Sequence, residues 1–400
     1  MIESFDSAAE MATRLQPEEP VYCLRPHVIT ATARRFVAGF PGDVLYAVKC
    51  NDNPVVLQAI YDGGVRHFDT ASIPEVAEVA GRFEQQTSHY MHPVKSRRSI
   101  EEAYHRYGIR SFVVDHPDEL EKLVEITGGR DITVVVRVRT PKNMAVFDLG
   151  GKFGASVEEA AALLQSAQAP GRRLGLTFHV GSQCLAPDAY RRAIKLVGRV
   201  LKLARVPIDV LDVGGGFPAA YAGVEPPPLE EYFAAIAEAA ASVKLPEGCR
   251  LQCEPGRSMV AEGCSIVVRV TLRRGDSLYL NDGIYGGLSD LTFDGIDMPM
   301  RVIRASGGKP RLAAESDRLT AFKLFGPTCD SGDKLPRRYL LDSGVADGDW
   351  IEIGQAGAYS NVLATRFNGF QSAQTVLVRD EAFRPGPADR GRLPQPEAAE

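Results

Sequence analysis

Short apolar runs alternate with longer amphipathic stretches between residues 43 and 255. The longer stretches (such as 74–83, 118–127 and 157–168) have apolar residues at helical spacing. Strand runs regularly separated by helices indicate parallel βαβ units. The strand candidates are VLYAV (44–48), VRHF (65–68), SHYM (88–91), SFVV (111–114), ITVVVRV (132–138), LGLTF (174–178), IDVLDV (208–213) and RLQC (250–253).

This number of units, over roughly 210 residues, predicts a closed (β/α)₈ barrel of the TIM type. An open doubly wound sheet is the alternative. The barrel is favoured because polar residues or glycine follow nearly every strand, and functional groups of such barrels gather at the C-terminal ends of their strands. These residues are Lys49, Asp69, His92, Asp115, His179, Gly214 and Glu254.

Beyond residue 260 the pattern becomes all-β, with alternating runs and turn glycines but no long helical stretch. It predicts a C-terminal β-rich domain, a sandwich or small barrel, over residues 261–380. The (β/α)₈ barrel then covers 41–260, and segment 1–40 contributes to the β domain. The tail, 381–400, is rich in proline and charge and is predicted to be disordered. The runs that indicate the β domain are 264–274, 277–282 and 375–380.

Composition narrows the class of protein. The net charge of −5 gives no electrostatic reason to expect nucleic acid or an anionic membrane as a partner. The chain has no apolar run long enough to span a bilayer, and its N-terminus, MIESFDSAAE, lacks a signal-peptide pattern, so a cytoplasmic location is expected. The seven cysteines are scattered without a CxxC pair, which argues against a disulfide framework and a metal site.

Lys49, in YAVKCN, directly follows the first strand candidate. In the mouth of a barrel, partial desolvation lowers the pKa of a lysine towards that of a nucleophilic amine, and we expect this for Lys49. The alternative is an ordinary surface lysine just past a strand. The residues at the other strand ends favour the first interpretation.

Three glycines, Gly214, Gly215 and Gly216, follow the seventh strand candidate. Such a run exposes backbone N–H groups and permits close approach of a phosphate, which barrels commonly bind after strands seven and eight. The eighth candidate ends in CEPGRS, where Glu254 could pair with a protonated ring nitrogen and Arg257 could contact the phosphate. The alternatives are a flexible turn for the glycine run, and a Glu254–Arg257 salt bridge beside a Pro-Gly turn for CEPGRS.

The sixth candidate ends in FHVGSQ, which offers the flat ring of His179 and the hydroxyl of Ser182. A lone histidine is more often a core residue, so His179 counts only together with the other strand ends. A lysine, an acid, a flat ring and a phosphate cradle are the groups needed to bind pyridoxal phosphate with its ring nitrogen protonated. The sequence therefore predicts this cofactor.

An ordered set of motifs resembles that of the ornithine decarboxylases, which belong to the barrel-type, alanine-racemase-like (fold-type III) pyridoxal-phosphate enzymes. The resemblance runs from about residue 20 to 380. It implies a (β/α)₈ barrel, a C-terminal β domain and a homodimer in which each barrel mouth is completed by the partner's β domain. The motifs are YAVKCN, FDTAS, KFG, FHVGSQ, DVGGGFP, EPGR, NDGIYG, GPTCDSGD and GAYS.

The resemblance also implies roles for the residues that bind the cofactor. Lys49 matches the lysine that holds it, Asp69 an acid near this lysine, Glu254 the partner of the ring nitrogen and His179 the ring that stacks on it. Pro255 and Gly256 belong to the same EPGR motif. The positions that match phosphate-binding residues are Ser182, Gly214, Gly215, Gly216, Arg257 and Tyr359.

For the substrate, the resemblance implies that Cys329, donated by the other subunit, protonates the α-carbon after decarboxylation. Asp330 and Asp294 match acids that bind the distal amine, and Tyr285 matches a tyrosine that lines the site from the partner. Phe293 departs from the pattern, because many relatives have tyrosine there. A second departure is Leu149, where animal-type members have an arginine that pairs with the acid at Asp69.

L-Ornithine, converted to putrescine and carbon dioxide, is the expected substrate, since a buried distal ammonium needs a carboxylate partner. A lysine/ornithine decarboxylase, or one for another short diamino acid, is the nearest alternative because one methylene is typically worth about 1–3 kcal/mol in discrimination. Diaminopimelate would bring a distal carboxylate against Asp330 and Asp294. A racemase would need a second base in place of Cys329, and non-catalytic homologues tend to lose the lysine or the glycines.

Overall fold

The computed structural model describes residues 2–142, 144–147, 151–304, 311–312, 318–370 and 373–386. Helix α1 begins after Ser7, whose side chain accepts a hydrogen bond from the backbone N–H of Glu10, and α2 begins with a proline. Both are favoured helix starts, because the first turn contains N–H groups without a partner in the helix. The N-terminal elements are β1 (Ser4–Phe5), α1 (Ala8–Leu15), β2 (Val21–Leu24) and α2 (Pro26–Gly39).

Eight parallel strands form a closed barrel in which neighbours along the chain pair with each other. The last strand closes the ring by pairing with the first, Gln252 with Asp43 and Cys253 with Val44. The C-terminal ends of all the strands therefore meet at one mouth. The strands are β3 (Asp43–Ala47), β4 (His67–Thr70), β5 (Thr87–Tyr90), β6 (Ser111–Val114), β7 (Thr133–Val138), β8 (Arg173–Phe178), β9 (Val210–Asp212) and β10 (Arg250–Cys253).

A helix follows each barrel strand. Local sequence starts several of these helices: Ser156 and Glu159 form a reciprocal capping box, and Asn53 caps the helix that begins at Pro54. The helices are α3 (Pro54–Asp62), α4 (Ile73–Arg82), α5 (Arg97–Glu101), α6 (Pro117–Thr127), α7 (Val157–Ala167), α8 (Asp188–Ala204), α9 (Leu229–Ser242) and α10 (Arg257–Val260).

The remaining strands form a second, mixed sheet. Its main path runs β1-β18-β2-β11-β12-β15-β16, and β17 also pairs with β11 and connects to β13 and β14. Thus β1 and β2, from the start of the chain, lie in the same sheet as the C-terminal strands. These strands are β11 (Cys264–Arg274), β12 (Ser277–Leu280), β13 (Met300–Arg304), β14 (Arg311–Leu312), β15 (Leu319–Phe325), β16 (Lys334–Asp342), β17 (Trp350–Ile353) and β18 (Gln374–Val378).

Arg25, between β2 and α2, fixes the N-terminal segment to this sheet. Its side chain is fully buried and donates to Ser265, Glu352 and Asp380. Two carboxylates compensate the desolvated guanidinium, and such a pair is costly to break by removing one partner. The chain thus enters the barrel from an anchored position on the second sheet.

The predicted barrel and the predicted β-rich sheet are confirmed, and the open doubly wound alternative is wrong. Strand β4 begins at His67, two residues later than the predicted start at Val65. The reason is that the N–H of Val65 still bonds to the carbonyl of Ile60 in the preceding helix. Leu149 and residues 387–400 of the predicted disordered tail lie outside the described residues. In the parts that the structure describes, no helix has the length and apolar character needed to cross a bilayer.

Candidate active site

Lys49 lies in a single 3₁₀ turn, Val48–Cys50, that follows β3 at the barrel mouth. Its Nζ is 2.6 Å from Oδ2 of Asp69, on the neighbouring strand β4. The Asp69 side chain is buried, whereas 43% of the Lys49 side chain is exposed. The ammonium therefore faces an opening with one carboxylate held behind it.

The expectation of a lowered pKa for Lys49 is wrong. Burial lowers the pKa of the Lys49 amine, but the carboxylates of Asp69 and then Glu254 outweigh this effect and raise it. Desolvation shifts a lysine towards the neutral amine only when no acid compensates it. Lys49 is thus a charged ammonium in the free protein, and Asp69 is the nearest acceptor for its proton.

Glu254 and Asp212 form a buried acid pair at the ends of β10 and β9. Asp212 also accepts hydrogen bonds from Thr177 Oγ1, at 3.0 Å, and from the backbone N–H of Gly214, at 2.9 Å. Burial, then Asp212 and Asp69, raises the pKa of Glu254 well above its ordinary value. These effects favour the protonated form of Glu254, which hydrogen-bonds to Asp212.

The His179 ring lies between β8 and the three glycines. Its Nδ1 accepts the backbone N–H of Gly181 at 3.0 Å, and burial, with smaller effects of Arg137 and Lys49, lowers the pKa of His179. The ring is therefore neutral, with its proton on Nε2. A Cβ on Gly215 would lie only 3.0 Å from this Nε2, so a side chain on the loop would crowd the ring.

The glycine loop needs its glycines for backbone reasons. Gly214 has φ +66° and Gly216 has φ +106°, and a Cβ on either would come within 2.4 Å of a carbonyl oxygen, of Phe178 or Gly181 respectively. Such contacts exclude any side chain. The loop thus packs directly on the turn that follows β8, with Tyr190 Oη donating to the carbonyl of Gly215 at 2.9 Å.

Arg257, at the start of α10, is the centre of a buried cluster beside this loop. Its guanidinium lies 2.5 Å from Oδ2 of Asp290, 2.7 Å from the Tyr221 hydroxyl and 3.4 Å from Ser182 Oγ. The Tyr359 ring lies 5.0 Å from the guanidinium carbon. The alternative of a Glu254–Arg257 salt bridge is wrong, because the acid that pairs with Arg257 is Asp290.

Pro255 and Gly256 close the barrel next to Lys49. The Pro255 carbonyl accepts the N–H of Ala47 at 3.1 Å, and a Cβ on Gly256 would be 3.0 Å from Cβ of Cys50. Tyr359 adopts φ +63° and donates its N–H to the carbonyl of Cys50 at 2.9 Å. The segment that contains Lys49 is thus hydrogen-bonded on one side to EPGR (254–257) and on the other to GAYS (357–360).

A second group of predicted site residues lies on the surface of the second sheet. We call Tyr285, Cys329, Asp330 and Asn368 the surface cluster. The Tyr285 hydroxyl donates to Asp330 at 2.6 Å, and Cys329 contacts Asn368. In the described part of the chain, no hydrogen bond or ion pair joins this cluster to the residues around Lys49 and Arg257.

Phe293 and Asp294 belong neither to the residues around Lys49 nor to the surface cluster. The Phe293 ring contacts Phe147, with centroids 4.9 Å apart, and Phe147 in turn lies against Arg257. The Asp294 side chain is fully exposed and pairs at 3.1 Å with Arg337, which is itself buried. One of the two predicted amine-binding acids is therefore already paired with a cation of its own chain.

Sequence reasoning missed Asp212, Tyr221, Asp290 and Phe147, which surround the predicted residues. The position of Asp212 at the end of β9 was a usable signal, because acids at barrel strand ends are candidates for the site. Tyr221 and Phe147 lie outside the helices and strands, and Asp290 lies in the short 3₁₀ turn Ser289–Thr292, so no periodicity gives their position in the fold. Only the tertiary structure places them beside Arg257.

A family model described as the pyridoxal-binding domain of pyridoxal-dependent decarboxylases matches residues 27–261. The chain belongs to this family of pyridoxal-phosphate-dependent carboxy-lyases, as the sequence predicted. The lysine/ornithine decarboxylase of Selenomonas ruminantium is 34% identical over 350 residues, which are 84% of either chain.

Solved structures of related enzymes agree with the fold. The lysine/ornithine decarboxylase of Vibrio vulnificus, complexed with cadaverine, has a TM-score of 0.79 and 32% identity and covers 94% of this chain and 100% of its own. The arginine decarboxylase of Paramecium bursaria Chlorella virus, bound to agmatine, has a TM-score of 0.81 and 26% identity, covering 92% and 98%. These likenesses extend over both the barrel and the second sheet.

The described residues fit pyridoxal phosphate. The glycine loop leaves no room for side chains, Arg257 supplies a buried positive charge, and Glu254 is a buried acid with a raised pKa that suits a ring nitrogen. Lys49 is the exposed amine at the same mouth. In addition, the hydroxyls of Ser258, Ser289 and Ser360 are buried and have no hydrogen-bond partner among the described residues. These serines are next in sequence to Arg257, Asp290 and Tyr359.

Proposed function

We propose that the protein decarboxylates L-ornithine to putrescine and carbon dioxide, with lysine or another short diamino acid as the alternative substrate. The observation that carries this proposal is Asp330, an exposed carboxylate beside Cys329. Asp330 accepts hydrogen bonds from Tyr285 and Gly332 and has no salt bridge within the described residues. It thus remains available to a distal ammonium.

The barrel-mouth residues bind and orient the cofactor in this proposal. When bound, pyridoxal phosphate supplies an electron-poor ring that accepts the electron pair left by the departing carboxylate. Lys49 would hold the cofactor, and Asp69 lies where it could accept the proton of the Lys49 ammonium. Glu254, whose pKa is raised by burial and by Asp212, would face the ring nitrogen, and His179 would provide a flat ring beside the cofactor.

The phosphate contacts fall to the cradle around Arg257. The guanidinium supplies charge, Ser182 a hydroxyl and the glycine loop backbone N–H groups. Tyr359 covers the guanidinium from the side of the Lys49 turn. We assign the cofactor-binding role to Lys49, Asp69, His179, Ser182, Gly214, Gly215, Gly216, Glu254, Pro255, Gly256, Arg257 and Tyr359.

We further infer a homodimer in which the partner's surface cluster completes each barrel mouth. Cys329 of one chain would then protonate the substrate's α-carbon in the site built around Lys49 of the other. The separation of the surface cluster from the barrel-mouth residues supports this arrangement, because within one chain these functional groups form two separate sets. An isologous two-fold interface would complete both sites in the same way.

Substrate length is decided at the end of the pocket that holds Asp330, Tyr285 and Phe293. The related enzymes act on ornithine, lysine or arginine according to their names. Ornithine and lysine differ by one methylene, so a preference of roughly tenfold to 200-fold is the expected range. Diaminopimelate is disfavoured because its distal carboxylate would face Asp330.

The test is a product screen of the purified protein with added pyridoxal phosphate against ornithine, lysine, arginine, diaminobutyrate and diaminopimelate. The highest kcat/KM is expected for ornithine. Asp330→Asn should raise KM for ornithine and leave the cofactor absorbance unchanged, since the acid binds only the distal amine. A preference for arginine or diaminopimelate, or an unchanged KM in Asp330→Asn, would contradict the assignment.

A further inference from the structure

Cys329 has one hydrogen-bond partner for both its backbone and its side chain. The backbone N–H of Cys329 lies 3.1 Å from Oδ1 of Asn368, and its Sγ lies 3.3 Å from the same oxygen. Cys329 is exposed, and among the hydrogen bonds of the described residues its thiol makes one, to Asn368. The amide of Asn368 is therefore the contact that orients it.

Asn368 itself is held in a conformation that few residues adopt. It has φ +54° and ψ +14° within the 3₁₀ turn Phe367–Gly369. Asparagine and glycine are the residues that most readily take this left-handed conformation. Asparagine alone of the two also provides an acceptor, which is the group that Cys329 contacts.

The turn around Asn368 is anchored to the loop of Tyr285. Thr365 donates its N–H and its hydroxyl to the Tyr285 carbonyl, at 2.8 and 3.0 Å. The Phe367 ring lies 5.0 Å from the Tyr285 ring, and the Phe367 N–H bonds to Thr365 Oγ1. Asn368 thus has a fixed position relative to the residue that contacts Asp330.

The Cys329 loop is anchored from the other side by a buried acid. Asp333 accepts the N–H of Thr328 at 3.0 Å and its hydroxyl at 2.7 Å, and it also accepts the N–H of Ile284 at 3.0 Å. The loops of Cys329 and Tyr285 therefore share one carboxylate. Cys329 lies between two anchored segments, and its thiol points at the side-chain oxygen of Asn368.

We propose that Asn368 is a positioning residue for Cys329. This inference rests on the proposed role of Cys329 as the α-carbon acid. The amide oxygen of Asn368 holds the Cys329 thiol in one of its three staggered rotamers. The thiol proton therefore has one defined position before it is transferred to the α-carbon of the substrate. Without this acceptor the thiol would sample the other rotamers and deliver its proton less often.

A missed delivery has a chemical signature. If the α-carbon is not protonated, a proton adds to the cofactor carbon that bears the substrate nitrogen. Water then supplies the oxygen of an aldehyde product, and the substrate's α-nitrogen leaves as pyridoxamine phosphate. The ratio of aldehyde to amine therefore reports the position of the proton donor, independently of the overall rate.

The test compares two substitutions at one position. Asn368→Gly keeps the left-handed backbone and removes the acceptor, whereas Asn368→Asp keeps an acceptor oxygen at the same place. Asn368→Gly should raise the aldehyde fraction roughly threefold to tenfold, and Asn368→Asp should largely restore the wild-type ratio. Asn361→Gly, an exposed amide of the same segment that bonds to Asp52, is the matched control and should keep the wild-type ratio.

A second measurement needs no turnover. Hydrogen–deuterium exchange at the Cys329 amide should quicken roughly threefold to tenfold in Asn368→Gly and not in Asn368→Asp. Wild-type exchange and a wild-type product ratio in Asn368→Gly would overturn the proposal, as would an equal rise of the aldehyde fraction in both variants. If Cys329→Ala itself makes no aldehyde, the proposed role of Cys329 as proton donor is refuted. The exchange measurement then still tests the hydrogen bond between Cys329 and Asn368.

Discussion

Arg257 and Asp290 form a buried ion pair that links the barrel to the segment following β12. Nη1 of Arg257 lies 2.5 Å from Oδ2 of Asp290, and the side chains are only 4% and 3% exposed. Buried charges of this kind are stable only when paired. The phosphate cradle therefore contains an anion of the protein next to the arginine proposed to receive the cofactor's phosphate.

The first prediction concerns Asp290→Asn. In the cofactor-free protein this substitution should lower the free energy of unfolding by about 3–5 kcal/mol, because it leaves the Arg257 guanidinium buried and unpaired. A bound phosphate would supply a new anion, so the loss should shrink when pyridoxal phosphate is present. Denaturant unfolding with and without the cofactor measures both effects, and Tyr221→Phe, which removes a neutral partner of Arg257, is the control. An equal loss in both states would contradict the prediction.

The second prediction concerns the attachment of the cofactor. Borohydride reduction of the protein with pyridoxal phosphate should label Lys49 and leave Lys95 unlabelled, as read by peptide mass spectrometry. Lys95 is a demanding comparison because burial lowers its pKa to about 8. A larger fraction of its side chain is therefore the neutral, nucleophilic amine. Its Nζ is nevertheless enclosed by Glu119 and the carbonyls of Val113 and His92. A label on Lys95 would refute the role of Lys49.

The sequence predicted those parts of the fold and the site that have a local sequence pattern. Short apolar runs predicted the barrel strands, and the family resemblance predicted that Asp69 lies near Lys49. The rise in the pKa of Lys49 could not be predicted, because it depends on the distances to Asp69 and Glu254. Asp290 lies in a short 3₁₀ turn, Ser289–Thr292, that no sequence pattern indicated. The domain limits at residues 40, 260 and 380 stay predictions from composition.

The third prediction is that Arg337 weakens the binding of the distal amine. Arg337 donates to Asp294 at 3.1 Å and competes with the substrate's ammonium for this carboxylate. Arg337→Met should therefore lower KM for ornithine by about twofold to fivefold, a modest change because Asp294 is exposed and screened. In an Asp294→Asn background the same substitution should have no effect on KM. A rise in KM would show that Arg337 orients Asp294 instead.

The fourth prediction concerns pH and Asp282, which accepts the N–H groups of Gly283 and Gly287. Burial raises the pKa of Asp282 to about 6, above the value of about 3.9 expected in the unfolded chain. The folded state thus binds this proton more tightly, and the stability it contributes is complete below about pH 4 and lost as the pH rises through 6.

Asp282→Asn removes this titration. Wild type should lose up to about 3 kcal/mol more stability than the variant between pH 4 and pH 7, two pKa units at 1.36 kcal/mol each. Urea unfolding of both proteins across this range gives the difference directly. A difference between the two proteins that does not change with pH would rule out Asp282 as the titrating group.

The last prediction tests the shared active site. Lys49→Ala and Cys329→Ala are each expected to form little amine product, because each lacks one residue of every site. When the two variants are dissociated, mixed equally and reassembled, random pairing makes about half of the dimers hybrid. Each hybrid has one site that combines an intact Lys49 with an intact Cys329. Activity should therefore return to roughly a quarter of the wild-type value.

The control pairs Lys49→Ala with Glu254→Ala, two substitutions in the same barrel mouth. Every site of that hybrid lacks either the lysine or the acid, so no activity should return after the same treatment. Subunit exchange must be verified in both mixtures, for example by native mass spectrometry of chains with different tags. If exchange is complete and the Lys49→Ala and Cys329→Ala mixture stays inactive, the two residues serve one site within a single chain, because then every site of every dimer remains defective.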